Sequence, residues 1–325
     1  MSGACDTRRV RHTLVVASIA AVLAGCSSTT DVADPSVPAA STLATSEVPT
    51  STQPSASTLP TLSLDTVEGL AAELSTVEAG IRATEVTAEE LAELGRRQQI
   101  AYRTMNRHEE WHSRLLELVA PEALVPVQFH LDAWAAWDAH SAGSTPSEPP
   151  AVLPAWTIVA PLPADELLGY YREAEAMTGV RWEYLAAIHF QETRMGRIVG
   201  VSSAGAVGPM QFLPTTWAEC CEGDPTNARD AIIGAAMYLV DRGGPADMRA
   251  ALYGYNPNDG YVGAVTAYAQ NLMADERAYF GYHGWQVFVG TSAGTVRLPA
   301  GYSATEAVTV DAYLAEHPDD LVVVP

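Results

Sequence analysis

The sequence predicts a mostly α-helical protein with a small β-hairpin near its C-terminal end. Apolar residues recur at helical spacing over much of residues 62–280, and capping residues or glycines bound the runs. After Gly281 the pattern changes to two short β-prone runs, 286–289 and 295–298, with a glycine-containing turn between them. The composition, 48% hydrophobic and 18% charged, is typical of a folded globular chain.

The first 25 residues have the features of an export signal. Three arginines within the first eleven residues precede an apolar run at 14–24, which is too short to span a bilayer comfortably. The run ends in the sequence LAGC at 23–26, which resembles the lipobox of bacterial lipoproteins. We therefore expect cleavage after residue 25, lipidation of Cys26, and attachment to the outer face of the cytoplasmic membrane in the cell envelope. The alternative is an ordinary secretory signal with an incidental cysteine.

Two segments differ in composition from the helical parts. Residues 26–61 consist largely of Ser, Thr, Pro and Ala and hold too few large apolar groups to form a core, so they are predicted to be a tether. Residues 141–163 are rich in Pro and Ser at first and are predicted to be a linker. Residues 62–140 between them are predicted to be a helical region.

Within the region 62–140, two local signals support helices. Thr87 followed by Glu90 resembles a capping box. Trp134 and Trp137, three residues apart, lie on one face of a helix. The simplest interpretation of this region is a helical layer that packs on the next domain, without an activity of its own.

Residues 164–280 carry clearer helix signals, and residues 281–325 are predicted to hold the hairpin and a tail. Asp165 and Asn227 are candidate N-caps, and Gly179 is a candidate stop. The predicted helices are 166–178, 181–195, one that begins at Pro214, 228–242, 246–254 opened by Pro245, and one from Asn258 or Asp259 to about 274.

The charge balance restricts the partners. The chain has 39 Asp and Glu against 18 basic residues, all of them arginine, for a formal charge of −21. This excludes nucleic acid as an electrostatic partner, but does not discriminate among sugar polymers. The absence of lysine and the abundance of alanine are typical of a GC-rich genome, such as that of an actinobacterium.

The segment 181–217 holds the candidate chemistry. On a helix, Glu192 shares a face with Leu185, Ile188 and Met195, and burial of that face would raise the pKa of the carboxyl. A carboxylic acid that stays protonated near neutral pH can donate a proton to a glycosidic oxygen. Gly196, four residues later, would leave room beside the carboxyl. The run 205–212 is too rich in glycine for a helix and predicts a tight turn or hairpin close to other backbone.

Three short motifs in this part of the chain resemble one family. The run ETRMG at 192–196 is similar to the E-[ST]-x-x-G motif of lytic transglycosylases with the goose-type lysozyme fold. The run GPMQ at 208–211 resembles their G-L-M-Q motif, with Pro in place of Leu. Tyr255 and Asn256 resemble the end of their A-Y-N motif, with Gly254 where Ala is usual. The resemblance covers residues 164–280.

This resemblance implies a lysozyme-like catalytic domain in which Glu192 is the only catalytic acid. Gln211 and Met210 would line the sugar groove, and Tyr255 and Asn256 would orient Glu192 or hold an N-acetyl group. The implied substrate is the glycan strand of peptidoglycan, cut at the β-1,4 bond between N-acetylmuramic acid and N-acetylglucosamine to leave 1,6-anhydromuramoyl ends. The reaction would require neither a metal nor an organic cofactor.

Several alternatives remain open from the sequence. A lysozyme-like inverting hydrolase would need a second carboxylate, for which Asp224, Asp230 and Asp259 are candidates. A lipoprotein that binds glycan without cutting it is a further possibility. Gln211 could instead be an amide that stabilises a turn, and Tyr255 an aromatic residue of the core.

A second motif suggests a different class of enzyme. His108, Glu109 and His112 match H-E-x-x-H, the zinc-binding helix of metalloproteases. The neighbouring residues are charged, whereas such a helix needs apolar neighbours to enclose the metal. We therefore interpret this run as a solvated face. The adjacent Cys220 and Cys221 are the cysteines left after export, and we favour an oxidised pair that stiffens a turn.

Overall fold

The structure, a computed structural model, describes residues 63–142 and 148–325. It is mostly α-helical with a few short antiparallel strands, which confirms the predicted fold class. Within those ranges, none of the helices combines the length and apolar character needed to cross a bilayer. The predicted signal peptide, the lipidated Cys26 and the tether lie outside the described residues.

The regular elements follow one another with short connections. The helices are α1 (Val67–Arg82), α2 (Ala88–Arg107), α3 (His112–Leu118), α4 (Leu124–Ser141), α5 (Ala164–Thr178), α6 (Trp182–Thr193), α7 (Pro214–Cys220), α8 (Ala228–Asp241), α9 (Met248–Tyr255), α10 (Asp259–Ala274), α11 (Ala278–Gly284) and α12 (Val310–Glu316). The strands are β1 (Val152–Leu153), β2 (Thr157–Ile158), β3 (Ile198–Val199), β4 (Val287–Thr291), β5 (Gly294–Leu298), β6 (Val308–Thr309) and β7 (Leu321–Val322).

Local capping signals predicted several helix ends correctly. Thr87 and Glu90 form the full capping box at the start of α2. The side chains of Asn227 and Asn258 accept hydrogen bonds from backbone N–H groups in the first turns of α8 and α10. Gly179 ends α5 in the left-handed conformation, with φ of 76°.

Three predicted helix ends were wrong. Asp165 was expected to cap a helix that starts at 166, but α5 begins at Ala164 after Pro163, so Asp165 lies inside its first turn. The helix expected to open at Pro245 begins at Met248, because the side chain of Asp247 accepts a hydrogen bond from the N–H of Ala250 and so caps the helix there. The helix expected to run to 195 ends at Thr193, because the next two residues adopt positive φ angles.

The predicted hairpin is present. Strands β4 and β5 pair antiparallel with Val289 opposite Val296, and β7 adds a third strand to β5. A small apolar cluster that includes Leu153 and Val310 covers this sheet. The hairpin is attached to α2, because Gln99 and Arg103 donate hydrogen bonds to the carbonyls of Gln286 and Phe288.

One hydrophobic core runs through both the early and the later helices. Residues of the early helices, such as Leu74 and Leu131, belong to the same buried cluster as Leu185 and Leu252. The early helical region therefore packs on the following helices, as its sequence predicted. Whether 62–140 and 164–280 are separate domains stays a prediction.

Helices α4 and α10 lie along each other at close range. A Cβ atom on Gly263 would come within 2.5 Å of the Cβ of Ala136, and one on Gly260 within 2.9 Å of the Trp137 ring. Buried Ala133 and Ala264 belong to the same small cluster between the helices. Small residues thus set the separation of the two helices, which positions the tryptophans of α4.

Candidate active site

Glu192 lies in the last turn of α6, a helix whose residues are almost all buried. Its side chain is on the buried face with Leu185, Ile188 and Met195, as the helical spacing predicted. The residue is 1% exposed. A carboxyl group in such a position has lost most of its water, and its properties therefore depend on the few protein groups around it.

The backbone turns sharply immediately after α6. Arg194, Met195 and Gly196 have φ angles of 54°, 60° and 80°, a conformation that costs energy for the two residues that carry a Cβ. The Thr193 hydroxyl accepts a hydrogen bond from the N–H of Gly196 at 3.1 Å and donates one to the carbonyl of Pro209 at 2.6 Å. These two bonds connect the end of the Glu192 helix to the GPMQ turn.

Gly196 does not serve the purpose expected from its spacing. A Cβ at this position would lie 3.2 Å from Nε2 of His189 and 3.8 Å from the Cβ of Pro209. His189 is buried, its Nδ1 is 2.6 Å from the Tyr171 hydroxyl, and burial lowers its pKa to about 3, so the ring is neutral. The missing side chain thus makes room for a neutral histidine instead of opening a groove beside Glu192.

The run 205–212 is the short hairpin that its glycines predicted. The backbones of Val207 and Phe212 exchange two hydrogen bonds, at 2.8 and 3.0 Å. Gly208 has φ of 75°, and a Cβ on it would lie 1.9 Å from the carbonyl oxygen of Pro225. Only glycine fits there without a shift of backbone, so the expected close approach to other backbone is confirmed.

The side chains of the GPMQ motif are enclosed in the turn. Gln211 has a φ of 52°, and its Nε2 donates to the carbonyl of Gly208 at 2.9 Å. Its Oε1 is buried and has no hydrogen-bond partner among the described residues. Met210 is buried, and its carbonyl accepts a 2.5 Å hydrogen bond from the Tyr255 hydroxyl. These contacts are those of a turn-stabilising amide, and substrate binding by Gln211 and Met210 stays a prediction.

Tyr255 joins the third motif to the other two. It is the last residue of α9, and burial, followed by the charge of Glu192, raises the pKa of its hydroxyl well above the usual value. Asn256 is buried directly after it, and its carbonyl accepts a hydrogen bond from the N–H of Asn258 at 2.8 Å. The three motifs therefore meet at the end of α6.

The sequence did not identify Tyr261, which is also next to Glu192. Its pKa is raised well above the usual value by burial, then by the charges of Glu192 and Tyr255. Tyr261 is three residues after the N-cap Asn258, in the first turn of α10. The signal in the sequence that could have indicated Tyr261 is its position one turn after the N-cap Asn258, shortly after the Tyr255–Asn256 motif.

Among the described residues, Glu192 is the carboxyl group whose charge acts on the pKa values of Tyr255 and Tyr261. The candidate second carboxylates are engaged in local contacts. Asp224 accepts hydrogen bonds from the N–H and hydroxyl of Thr226, Asp230 accepts one from the N–H of Asp224, and Asp259 pairs with Arg249 at 2.7 Å. In the described part of the chain, Glu192 thus has two tyrosine neighbours, and the candidate aspartates have partners of their own.

The H-E-x-x-H run does not form the continuous helix that a zinc site of this type requires. Helix α2 ends before His108. Residues Glu109–Trp111 form a 3-10 turn, and His112 begins α3. The ring of His108 stacks on Trp111 at 3.8 Å, while Nε2 of His112 is 3.0 Å from the carbonyl of Met105. The two histidines thus have separate local partners and do not share a helical face.

Cys220 and Cys221 form a disulfide at the end of α7, which is the oxidised pair favoured from the sequence. The Sγ of Cys221 lies 3.6 Å from the carbonyl oxygen of Gly234 in α8. The pair therefore lies at the junction of α7 and α8.

A cavity of about 430 Å³ lies beside the end of α6. Gln191 and Arg194, which flank Glu192 in the chain, line it together with residues of α2, α4 and α10, whereas Glu192 itself does not. We call it the arginine pocket, after Arg103, Arg107 and Arg194 in its wall. The sequence predicted neither the pocket nor that residues of α4 and α6 would line one cavity.

Comparisons with known proteins give one partial similarity. Over 75 residues the chain is 35% identical to the membrane-bound lytic murein transglycosylase F of Thiobacillus denitrificans. The aligned stretch is 23% of this chain and 16% of that protein, so most of the relative's length is outside the match. No family model matches the chain, and no solved structure matches it significantly. The chain is thus similar, over about a quarter of its length, to a lytic murein transglycosylase.

Proposed function

We propose that this protein is a lytic transglycosylase that cleaves the glycan strands of peptidoglycan, with Glu192 as its catalytic acid and then base. The substrate is the β-1,4 bond between N-acetylmuramic acid and N-acetylglucosamine, and the product carries a 1,6-anhydromuramoyl end. Residues 164–280 would form a catalytic domain with the goose-type lysozyme fold.

The observation that carries the proposal is the convergence of three separate motifs on one buried carboxyl group. The bond from Thr193 to Pro209 joins the first motif to the second, and the bond from Tyr255 to Met210 joins the second to the third. The charge of Glu192 acts on both Tyr255 and Tyr261. Such contacts support a constellation in which one acid is held in position by its neighbours.

The proposed reaction needs one acid and no water. Glu192 donates its proton to the glycosidic oxygen as the bond from C1 of the muramoyl ring to that oxygen breaks, and the ring gains oxocarbenium character. The C6 hydroxyl of the same ring then attacks C1 and transfers its proton to the carboxylate. Glu192 ends as it began, and the ring closes to the 1,6-anhydro sugar. Tyr255 and Tyr261 would orient the carboxyl.

The similarity to a membrane-bound lytic murein transglycosylase supports the same substrate and reaction class. A hydrolase with a second carboxylate is less well supported, because the candidate aspartates have other contacts. The products distinguish the alternatives. In a digest of purified sacculi analysed by mass spectrometry, we expect anhydromuramoyl ends; reducing muramoyl ends would indicate a hydrolase, and no products would indicate a glycan-binding protein.

The Glu192→Gln variant tests the assigned acid. Since glutamine cannot donate the proton, we expect cutting to fall below detection, a loss of at least about a thousandfold, while the unfolding temperature changes little. The matched control is Glu183→Gln at the start of the same helix, where the carboxylate pairs with Arg181 instead. Retained cutting by Glu192→Gln would assign the acid to another residue.

We also propose that the protein works at the cell envelope, tethered by lipid on Cys26. The lipobox-like sequence at 23–26 supports this, as does the membrane-bound relative. Labelling of cells with a fatty-acid analogue should mark the protein, and the Cys26→Ser variant should lose the label and leave the membrane fraction. Equal labelling of both proteins would contradict the proposal.

A further inference from the structure

The arginine pocket is separate from the proposed catalytic carboxyl and has a distinct chemistry. Its volume of about 430 Å³ is within the range of small-molecule sites, which is about 300–1,000 Å³. Two of its arginines, Arg103 and Arg107, come from α2, and Arg194 follows the end of α6. Two elements far apart in sequence thus bring three arginine residues to one cavity.

These three arginines differ from most of the others in their partners. Arg103 donates to the carbonyl of Phe288 at 3.1 Å, and Arg194 to the carbonyl of Phe190 at 2.6 Å. Arg107 donates to the carbonyl of Val324 and to the hydroxyl of Thr295. None of the three pairs with a carboxylate in the described part of the chain, although acidic residues outnumber basic ones by more than two to one.

The positive charges of the arginine pocket act on one another. The pKa of Arg103 is lowered to about 10, first by burial and then by the positive charges of Arg194 and Arg107. Burial also lowers the pKa of Arg194, while the charges of Tyr268 and Glu192 act in the opposite direction. An anion between these groups would relieve the repulsion, and guanidinium groups are suited to bidentate bonds with carboxylates or phosphates.

The remaining wall of the pocket is aromatic. Trp134 and Trp137 of α4 are half-buried, and Trp285 also lines the pocket. Asn106 and Gln191 add amide groups that can donate and accept hydrogen bonds. Tryptophan surfaces favour a ring or another apolar group over a small hydrated ion. The wall thus suits a ligand with both a ring and an acid group.

We propose that the arginine pocket binds a sugar acid of the muramoyl type, with its carboxylate on the arginines and its ring against the tryptophans. The choice of a muramoyl ligand rests on the proposed function; the preference for a ring with a carboxylate rests on the pocket alone. Binding here is distinct from cutting at Glu192, and Gln191 and Arg194 connect the two places through the end of α6.

The test compares the affinities of ligands that differ in one feature. Binding is measured by calorimetry and by tryptophan fluorescence on the purified Glu192→Gln protein, which we expect not to cleave them. N-acetylmuramic acid and N-acetylglucosamine share the sugar ring but differ in the lactyl carboxylate. We expect the former to bind at least about tenfold more tightly, since the arginines contact only the acid group. N-acetylmuramoyl-L-alanyl-D-glutamate, with its carboxylates on the peptide, shows whether the acid group can come from the stem.

Arginine variants locate the binding. Arg103→Gln and, separately, Arg107→Gln should each weaken binding of N-acetylmuramic acid at least about tenfold with little change in the unfolding temperature. The matched control is Arg114→Gln, an exposed arginine of α3 that pairs with Glu117, for which we expect unchanged binding. Arg107 is at the exposed rim of the pocket, so its variant is informative even where Arg103→Gln folds poorly.

Three results would overturn the proposal. The first is that neither N-acetylmuramic acid nor N-acetylmuramoyl-L-alanyl-D-glutamate binds at concentrations up to about 10 mM. The second is that both arginine variants bind as tightly as the parent protein. The third is that inorganic phosphate binds as tightly as N-acetylmuramic acid. The last result would mean that the ring contributes nothing. None of these outcomes depends on catalysis, so a failure of the proposed function, seen as sacculi left uncut by the unmodified protein, is recorded separately.

Discussion

The charge of Glu192 acts on the buried Tyr261, which places the two side chains near each other. A hydroxyl dipole near a carboxylate favours its charged form, so loss of the hydroxyl should let the proton-donating form of Glu192 persist to higher pH. For Tyr261→Phe we expect cutting to slow about tenfold, which corresponds to about 1.4 kcal/mol of lost transition-state stabilisation. We also expect the alkaline limb of the rate profile to move upward. Sacculus digestion across a pH series measures both.

A matched control for this change is Tyr313→Phe. The Tyr313 hydroxyl also donates to a carboxylate, that of Asp320 at 2.7 Å, but in the C-terminal part of the fold. This variant should keep the rate and pH profile of the unmodified protein. A Tyr261→Phe protein with an unchanged profile would show that Tyr261 only fills space.

At the residue scale the sequence predicted those features that depend on local spacing. Glu192 and its face were predictable because the apolar neighbours of the carboxyl are on the same helix. Tyr261 and the histidine behind Gly196 were not, because both contacts depend on how separate helices pack. The same holds for Gln211, whose enclosed position follows from the turn as a whole.

At the scale of elements, the hairpin 205–212 offers a paired test. Gly208 and Gly205 both have positive φ, but a Cβ on Gly208 would collide with the carbonyl of Pro225, whereas one on Gly205 meets nothing within 4 Å. Gly205→Ala should therefore cost only the conformational strain, about 1–2 kcal/mol. Gly208→Ala should lower the free energy of unfolding by the same strain plus at least about 1 kcal/mol for the collision.

Urea unfolding of the two variants measures this difference. Equal losses would mean that the backbone of Pro225 moves aside at little cost. Because the GPMQ motif is part of the hairpin, Gly208→Ala should also slow cutting more than Gly205→Ala does.

Helix limits were predictable where a cap is made within one turn, as at Thr87 and Asn227. The start of α9 was predicted wrongly because two signals compete there, and the capping aspartate Asp247 takes precedence over Pro245. The purpose of the tryptophan face of α4 was not evident either. Trp134 meets the ring of His112 edge-on and Trp137 lies against Gly260 of α10, and no local pattern indicates either contact.

At the scale of the molecule, two buried histidines make stability depend on pH. Burial is the main cause that lowers the pKa of both His130 and His189 to about 3. The unfolded chain takes up protons at these residues below about pH 6.5, whereas the folded protein does so only near pH 3. The free energy of unfolding therefore decreases as the pH is lowered through that window, by about 1.4 kcal/mol per pH unit for each histidine.

The His130→Gln variant isolates one of these contributions. Urea unfolding at several values between pH 6 and pH 4 should show a slope smaller by about 1.4 kcal/mol per pH unit than in the unmodified protein. The control is His317→Gln, which also removes one histidine but at an exposed position just after α12. This variant should keep the slope of the unmodified protein. An unchanged slope for His130→Gln would mean that this ring is protonated, or reaches solvent, in the folded protein.

The close contact of α4 with α10 also has a consequence for how such a chain can change over time. With Gly263 against Ala136 and Gly260 against Trp137, a larger side chain on one helix can be accommodated only if the opposite residue becomes smaller or the helices separate. Substitutions at these positions should thus be inherited in pairs. The sequence of α4 would then change in step with that of α10, within residues 164–280. The N-terminal helices would therefore be difficult to replace by those of another protein without matching changes in α10.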